Sequence, residues 1–240
     1  IILPKYKNLN SENIKLKHNG DLVTSVDIDV ENKLKNELCK LLPNSLFVGE
    51  ESFFENPKII NKYTEKKFCW TVDPIDGTSN FVNGKDKFAI MIALTFKDEI
   101  IQSWIYKPLS EEFAYAKLGG GAFINDLKVI NKKEINISNA IGSISSKYWN
   151  KAYDKKIIKV RSYFNNINSY RCIGFEYVDI AKGIRHFSLL SKLYPWDHLP
   201  GILLVKESGG HVKHFNGSIY NHTVKSDNLV VTNSINLLNE

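Results

Sequence analysis

Apolar residues recur at helical spacing from Val30 through Leu34, Leu38, Leu41 and Leu42, with Asp27 and Asp29 ahead as start signals and Pro43 as a stop. This pattern predicts an amphipathic helix. Short β-type runs follow at Leu46 to Val48 and Phe68 to Val72, and each delivers acidic residues at its C-terminal end, where a strand holds a carboxylate in place. Three further strand-like segments, Phe88 to Phe96, Ile100 to Tyr106 and Glu112 to Ala116, are separated by Lys97-Asp98-Glu99 and Pro108-Leu109-Ser110. Those separators have the turn chemistry of an antiparallel meander. Gly119-Gly120-Gly121 precedes another short strand, Ala122 to Ile124, with no Lys-Ser/Thr pair after it, so it reads as a hairpin turn and not as a phosphate loop.

After about residue 140 the pattern changes to helices alternating with short apolar strands: a helix near Trp149 to Phe164, one near Glu176 to Lys182, and one near Asp197 to Ser208. That alternation predicts an α/β half. Pro200 is expected in the first turn of the last helix, which ends at Gly209-Gly210. The fold class is therefore α+β, with an N-terminal subdomain over 1–140 and a C-terminal α/β subdomain over 141–240 that share an interface.

The 240 residues, 43% hydrophobic and 24% charged, can bury a core without disulfides or structural metals. Cys39, Cys69 and Cys172 are isolated, which leaves neither a CxxC site nor a disulfide framework and predicts reduced core residues. No apolar run is long enough to span a membrane and the N-terminus lacks a secretory pattern, so no membrane partner and a cytoplasmic location are expected. A start at Ile1-Ile2-Leu3-Pro4, without methionine, suggests a further helix upstream. The net charge of +6 is carried almost wholly by lysine, the only arginines being Arg161, Arg171 and Arg185. Scattered lysines give a solvated basic surface and argue against a nucleic-acid partner.

The densest chemical signal is Trp70-Thr71-Val72-Asp73-Pro74-Ile75-Asp76-Gly77-Thr78, an apolar strand ending in two aspartates and a glycine that frees backbone amides. Carboxylates suit hard cations such as Mg²⁺, and successive N–H groups at a helix start suit phosphate. Asp-Pro and Asp-Gly are also plain turn formers. Glu50 and Glu51, adjacent after Gly49, repel each other unless solvated or metal-bound, but an exposed acidic turn is the plainer reading. Asp27 alone reads as a helix N-cap and Asp197 as a first-turn acid. His211 and His214 have no further ligand run nearby, so a strand end is preferred over zinc for them, and no Gly-x-Ser-x-Gly elbow or Cys/His pair points to acyl transfer.

Taken in order, Asp21-Leu22-Val23-Thr24 with Asp27, Gly49-Glu50-Glu51, Asp73-Pro74-Ile75-Asp76-Gly77-Thr78, Trp196-Asp197 and Glu207-Ser208-Gly209-Gly210 resemble the inositol monophosphatase family. The resemblance runs from about Asp21 to the C-terminus, and Trp104-Ile105-Tyr106 and Gly119-Gly120-Gly121-Ala122-Phe123 match that family's central sheet. It implies a layered αβαβα sandwich and a lithium-sensitive, Mg²⁺-dependent phosphomonoesterase of the group that includes fructose-1,6-bisphosphatase. By position, Glu50, Asp73 and the Ile75 carbonyl would bind one Mg²⁺, and Asp73, Asp76 and Asp197 a second, with a third near Glu50. Asp27 and Thr78 would activate water, the Gly77 and Thr78 amides would hold phosphate, and Glu51 would support the site from behind. A small phosphorylated metabolite is the implied partner, and a homodimer is compatible with it.

The substrate-facing segment departs from the inositol-specific pattern. Phe175 and Glu176 stand where small residues would face the ring, and Leu190 falls about where an acidic ligand for ring hydroxyls would lie. Glu176 could select a cationic or hydroxyl-bearing substrate, or be a solvated helix N-terminal acid. Four readings follow: an inositol or polyol phosphate phosphatase, a 3'(2'),5'-bisphosphate nucleotidase, a sugar- or histidinol-phosphate phosphatase, and a noncatalytic phosphometabolite-binding relic.

Overall fold

The computed structural model describes residues 1–17, 20–131, 134–145, 149, 151–222 and 228–239. A short helix α1 (Ile2–Lys5) leads to a hairpin of β1 (Ile14–Leu16) and β2 (Leu22–Thr24), which the apolar pattern did not reveal. The first long helix, α2 (Ser25–Leu41), starts ahead of its apolar periodicity because Thr24 caps it. The Thr24 hydroxyl accepts from the Val26 and Asp27 amides, and the Asp27 carboxylate accepts in return from the Thr24 amide at 2.8 Å, a reciprocal capping box. Asp27 is thus the third helical residue and not the cap.

Seven strands form the larger sheet in chain order: β3 (Leu46–Gly49), β4 (Phe68–Asp76), β5 (Ala89–Phe96), β6 (Glu99–Lys107), β7 (Glu112–Lys117), β8 (Gly121–Ile124) and β9 (Leu127–Val129). Only β3 and β4 run parallel, and the rest is the expected meander. The short helix α3 (Glu50–Glu55) follows β3, and α4 (Thr78–Val82) follows β4. Strand β4 extends past its expected end at Val72 and takes in both aspartates. Asp73 pairs with Met91 and Asp76 with Ala89, so three steps on β4 oppose two on β5. Pro74, which has no N–H to give the ladder, lies inside this bulge. Side chains three apart on a regular strand point to opposite faces; the extra residue turns Asp76 onto the face of Asp73.

The second sheet has the order β11-β10-β12-β14-β13, built from β10 (Ile141–Ile144), β11 (Asn166–Ile167), β12 (Phe187–Leu190), β13 (His211–His214) and β14 (Leu229–Thr232). Its helices are α5 (Lys151–Arg161), α6 (Ile173–Lys182), α7 (Pro195–Glu207) and the terminal α8 (Ile235–Asn239). Of the helix expected from Trp149, Asn150 lies outside the described residues, as does His18. Because α7 begins at Pro195, Pro200 falls inside it, in the second turn and not the first.

The layers follow from burial. Helix α2 covers one face of the large sheet with Leu34, Leu38 and Leu42 against Phe47, Trp70, Val72 and Leu94. Helices α6 and α7 lie between the sheets, where Tyr177, Leu199, Ile202 and Leu203 meet Met91, Ile105 and Ala114 on one side and Leu229 and Val231 on the other. Helix α7 is accordingly apolar around its circumference, as a helix held between two sheets must be. Ile157 and Val160 of α5 cover the outer face of the second sheet. The result is αβαβα. Glu207, at the end of α7, accepts from the Gly119 and Gly121 amides at 2.9 and 2.8 Å and so fastens the triple-glycine hairpin to the central layer.

Candidate active site

The end of β4 places Asp73 and Asp76 in the interior, 2% and 9% exposed. Asp73 Oδ1 accepts from the Ile75 amide at 3.0 Å, which fixes the carboxylate across the bulge. Asp76 Oδ2 accepts from the Gly174 amide at 2.6 Å and from the Cys172 thiol at 2.9 Å, so the start of α6 holds the carboxylate in place. Gly77 then reverses the chain at φ +84 into α4. A Cβ there would stand 2.9 Å from the Lys87 carbonyl oxygen and 3.1 Å from Cys172 Cβ, so glycine is required on both counts.

A second group comes from α2 and α3. Asp27 is fully buried; its Oδ2 is held by the Thr24 amide and by the Thr24 hydroxyl at 2.5 Å, and this aims Oδ1 at Thr78 Oγ1, 3.1 Å away. The Thr78 hydroxyl also lies 2.9 Å from the Ile75 carbonyl oxygen. One turn further along α2, buried Glu31 accepts from the Glu51 amide at 2.7 Å and the Ser52 amide at 2.9 Å, capping α3 and setting the direction of Glu50 and Glu51. Gly49 makes this approach possible, since a Cβ would come within 2.3 Å of the Glu31 carboxylate. Sequence reading missed Glu31; the available signal was its i, i+4 spacing from Asp27 on one helical face.

Asp197, in the first turn of α7, completes the acidic set from the opposite side. Burial, and then the charges of Glu50, Asp76 and Asp197, push Asp73 well above the usual carboxylate range; Asp197 is raised in the same way by burial, Glu50 and Asp76. Burial raises Asp76 and Asp27 to about 6 each, against the pull of their hydrogen bonds. Glu51 is pushed up to about 8 by burial and by Glu50. One cation set among these groups is Lys17, from the turn between β1 and β2. Its Nζ is 2.7 Å from Glu50 and 2.8 Å from Glu51, over the Phe54 ring at 4.4 Å. Burial lowers the Lys17 pKa, but the two glutamates more than reverse this and leave it raised. Sequence reading did not find Lys17, because nothing in its local sequence marks it. Beside it, Lys192 pairs with Asp21 at 2.9 Å and ties the same hairpin to the loop before α7.

Lys17, and Lys192 acting on Asp197, do not balance this many acidic groups among the described residues, and like charges at this density require protons or added cations. The donors are carboxylate and carbonyl oxygens, the set that suits a hard divalent ion. Among the described residues no three such side chains stand in a ready chelating arrangement, and a Glu50 oxygen is turned to Lys17. The donor chemistry and the charge fit Mg²⁺.

Next to these carboxylates opens a cavity of about 590 Å³ between the two sheets. Asp76 and Asp197 line it, together with Ser143, Arg161, Arg171, Glu176, Leu190 and Lys192. Leu190 is one of the residues that line the cavity. Glu176 is not a solvated helix acid: it is 3% exposed and accepts from Ser169 Oγ at 3.0 Å, the Tyr170 amide at 2.9 Å, Ser188 Oγ at 3.1 Å and Ser143 Oγ. With four donors already on it, the carboxylate binds the cavity wall together. Phe175 does not line the cavity. One residue before Glu176 on α6 it is rotated by a quarter turn or more, and its ring receives Lys107 at 4.3 Å and Lys87 at 5.6 Å instead.

Residues 1–239 match the model of the inositol monophosphatase family. The chain belongs to that family. An inositol-1-monophosphatase of Rhizobium meliloti is 31% identical over 201 residues, covering 82% of this chain and 73% of the relative. The solved structure of a Thermotoga maritima IMPase superposes with a TM-score of 0.82 at 26% identity, over 97% of this chain and 86% of that one. An IMPase/NADP phosphatase solved with Mg²⁺ and phosphate has the same fold, with a TM-score of 0.82 at 23% identity over 97% and 85% of the two chains. As a phosphatase of this family, the chain has Asp76 and Asp197 of its acidic set lining one cavity, and the αβαβα layering expected from sequence is the fold of these neighbours.

Proposed function

We propose that the chain hydrolyses a small phosphate monoester with Mg²⁺, by direct attack of water and without a phosphoenzyme. The observation that carries this reading is the Thr78–Asp27 hydrogen bond together with a group of mutually repelling buried carboxylates, two of which, Asp76 and Asp197, line a cavity. Glu50, Asp73 and the Ile75 carbonyl would hold one ion, and Asp73, Asp76 and Asp197 a second, with a third beside Glu50. The IMPase/NADP phosphatase of the same fold, complexed with Mg²⁺ and phosphate, supports the choice of ion. Bound Mg²⁺ supplies neutralisation of the phosphoryl charge, a more acidic water and stabilisation of the departing alkoxide.

The chain's own residues supply the rest. Thr78 has one hydroxyl proton; given to Asp27 Oδ1, it leaves the Oγ1 lone pairs to accept a proton from water. Asp27, which burial has raised to about 6, is a better proton acceptor than an ordinary aspartate and is still ionised at neutral pH. The amides of Gly77 and Thr78, at the start of α4, are the donors for phosphate oxygens. Glu51, paired with Lys17 and fixed through its amide to Glu31, would support Glu50 without taking part.

The wall residue Leu190 offers nothing to a ring hydroxyl, so the reading favours a phosphomonoester other than inositol 1-phosphate, such as a sugar, histidinol or nucleoside phosphate. The test is phosphate release from a panel of these esters as Mg²⁺ is titrated. Turnover that EDTA abolishes is expected; undiminished turnover in EDTA would overturn the metal assignment, and no release from any ester would favour a binding relic.

A further inference from the structure

The first turn of α7 carries Asp197 between two anchored neighbours. Trp196 is buried, its ring centre 4.7 Å from that of Tyr194 and 4.8 Å from that of Phe53 on α3. His198, buried as well, is bonded at both ring nitrogens: Nε2 lies 2.7 Å from the Lys192 carbonyl oxygen and Nδ1 2.9 Å from the Tyr177 hydroxyl. A carbonyl oxygen only accepts, so Nε2 carries the ring proton and Nδ1 accepts from Tyr177. Burial keeps the imidazole neutral, its pKa lowered to about 4, and holds the Tyr177 phenol protonated.

Packing between α6 and α7 is what lets this relay form. The Tyr177 ring fills the space that Gly201 leaves open, since a Cβ at Gly201 would stand 2.0 Å from ring atoms. Gly201 and His198 are three residues apart on α7 and share a face, which brings the imidazole to the hydroxyl end of the ring. The bond from His198 back to Lys192 then closes the loop that leads into the helix. Tyr194, at the N-cap position, lacks the short side-chain oxygen that usually ties such an entry. The same loop places Lys192 on the cavity wall, where its charge acts on Asp197 and its ammonium pairs with Asp21 at 2.9 Å.

The geometry points to Tyr177 and His198 as positioning residues for Asp197: by holding the Lys192 carbonyl they fix the entry to α7, and with it the direction of the carboxylate. This rests on the proposed role of Asp197 as a ligand for Mg²⁺ in phosphate-ester hydrolysis. Tyr177 is fully buried in the central helical layer and is not among the residues that line the cavity, so it acts through His198 alone. One core hydroxyl thereby sets how well Asp197 meets a cation.

Tyr177→Phe removes the hydroxyl and keeps the ring, whereas His198→Leu removes both bonds. Calorimetry on the full chain should show Mg²⁺ bound about tenfold more weakly in Tyr177→Phe, and at least as weakly in His198→Leu. The double variant should bind no worse than His198→Leu alone, because the hydroxyl acts through the imidazole. Hydrogen exchange of the amides in 191–199 should quicken in all three, and half-saturating Mg²⁺ for ester turnover should rise with kcat at saturating Mg²⁺ little changed. Val178→Ala, a core change on α6 outside the relay, should lower the melting temperature and leave Mg²⁺ affinity as it was. Unchanged affinity in Tyr177→Phe, losses that multiply in the double variant, or an equal loss in Val178→Ala would overturn the inference. If Mg²⁺ binds as expected and no ester is hydrolysed, the phosphatase reading falls and the positioning role stands; if the unmodified chain binds no Mg²⁺, both fall.

Discussion

Thr78 Oγ1 lies 3.1 Å from Asp27 Oδ1, although 51 residues separate them in the chain. Thr24 makes the pairing directional by occupying the other Asp27 oxygen with two hydrogen bonds. In Asp27→Asn, Thr24 would claim the amide oxygen and turn the NH₂ group to Thr78, reversing the polarity of the bond. Thr78→Ala removes it. Both variants are expected to lower kcat by about 10²-fold or more, the range of general-base losses, with half-saturating Mg²⁺ little changed. Kinetics with Mg²⁺ titration checks this; loss of Mg²⁺ binding in either variant would contradict the division of roles.

Asp73→Asn bears on the metals instead. Asp73, the proposed shared ligand, is 2% exposed and raised by burial and by three acidic neighbours. Turnover should fall by about 10²-fold or more, while the melting temperature in EDTA stays level or rises, because a repelled buried charge is gone. A variant with full turnover would remove Asp73 from the bridging position.

The metal-free protein should lose stability as pH rises. Asp27 and Asp76 move from 3.8 unfolded to about 6 folded, and Glu51 from 4.5 to about 8. A raised carboxyl contributes stability below its unfolded pKa and loses it as pH climbs through the folded one. His198 and His222, lowered by burial from 6.5 to about 4, act oppositely, and their contribution is complete above pH 6.5. From about pH 6.5 to 8 the carboxylates therefore decide the sign. Thermal melts should show the metal-free midpoint falling over that window, and a larger Mg²⁺-induced rise at pH 8 than at pH 6.5. A rise of the same size at both would count against the buried-charge account.

Glu176 gives a structural prediction. Glu176→Ala leaves four donors from Ser143, Ser169, Ser188 and Tyr170 without their acceptor, at a cost on the order of 2–4 kcal/mol, or about 4–16 °C in melting temperature. Glu176→Gln, which keeps one acceptor, should lose less. A melt unchanged in Glu176→Ala would show that the carboxylate does not hold the wall.

Local pattern was enough to determine the meander, the long helices and the acidic residues at strand ends, because period and turn chemistry are properties of neighbouring residues. Each of Asp73, Asp76, Glu50, Glu51 and Asp197 has a plain local reading as a turn or first-turn acid, and it was their order along the chain, by its resemblance to a family, that marked them as candidates. What local pattern could not decide was orientation. Asp73 and Asp76 share a face only because a bulge at Pro74 shifts the register against β5. Phe175 and Glu176 are adjacent in sequence, yet only Glu176 faces the cavity, because α6 packs between two sheets. Lys17 reaches Glu50 and Glu51 from a hairpin 33 and 34 residues away, and Arg161 and Arg171 come to one cavity from a helix and a loop. Such contacts arise when distant segments bury a common surface, and no local periodicity records which segments those will be.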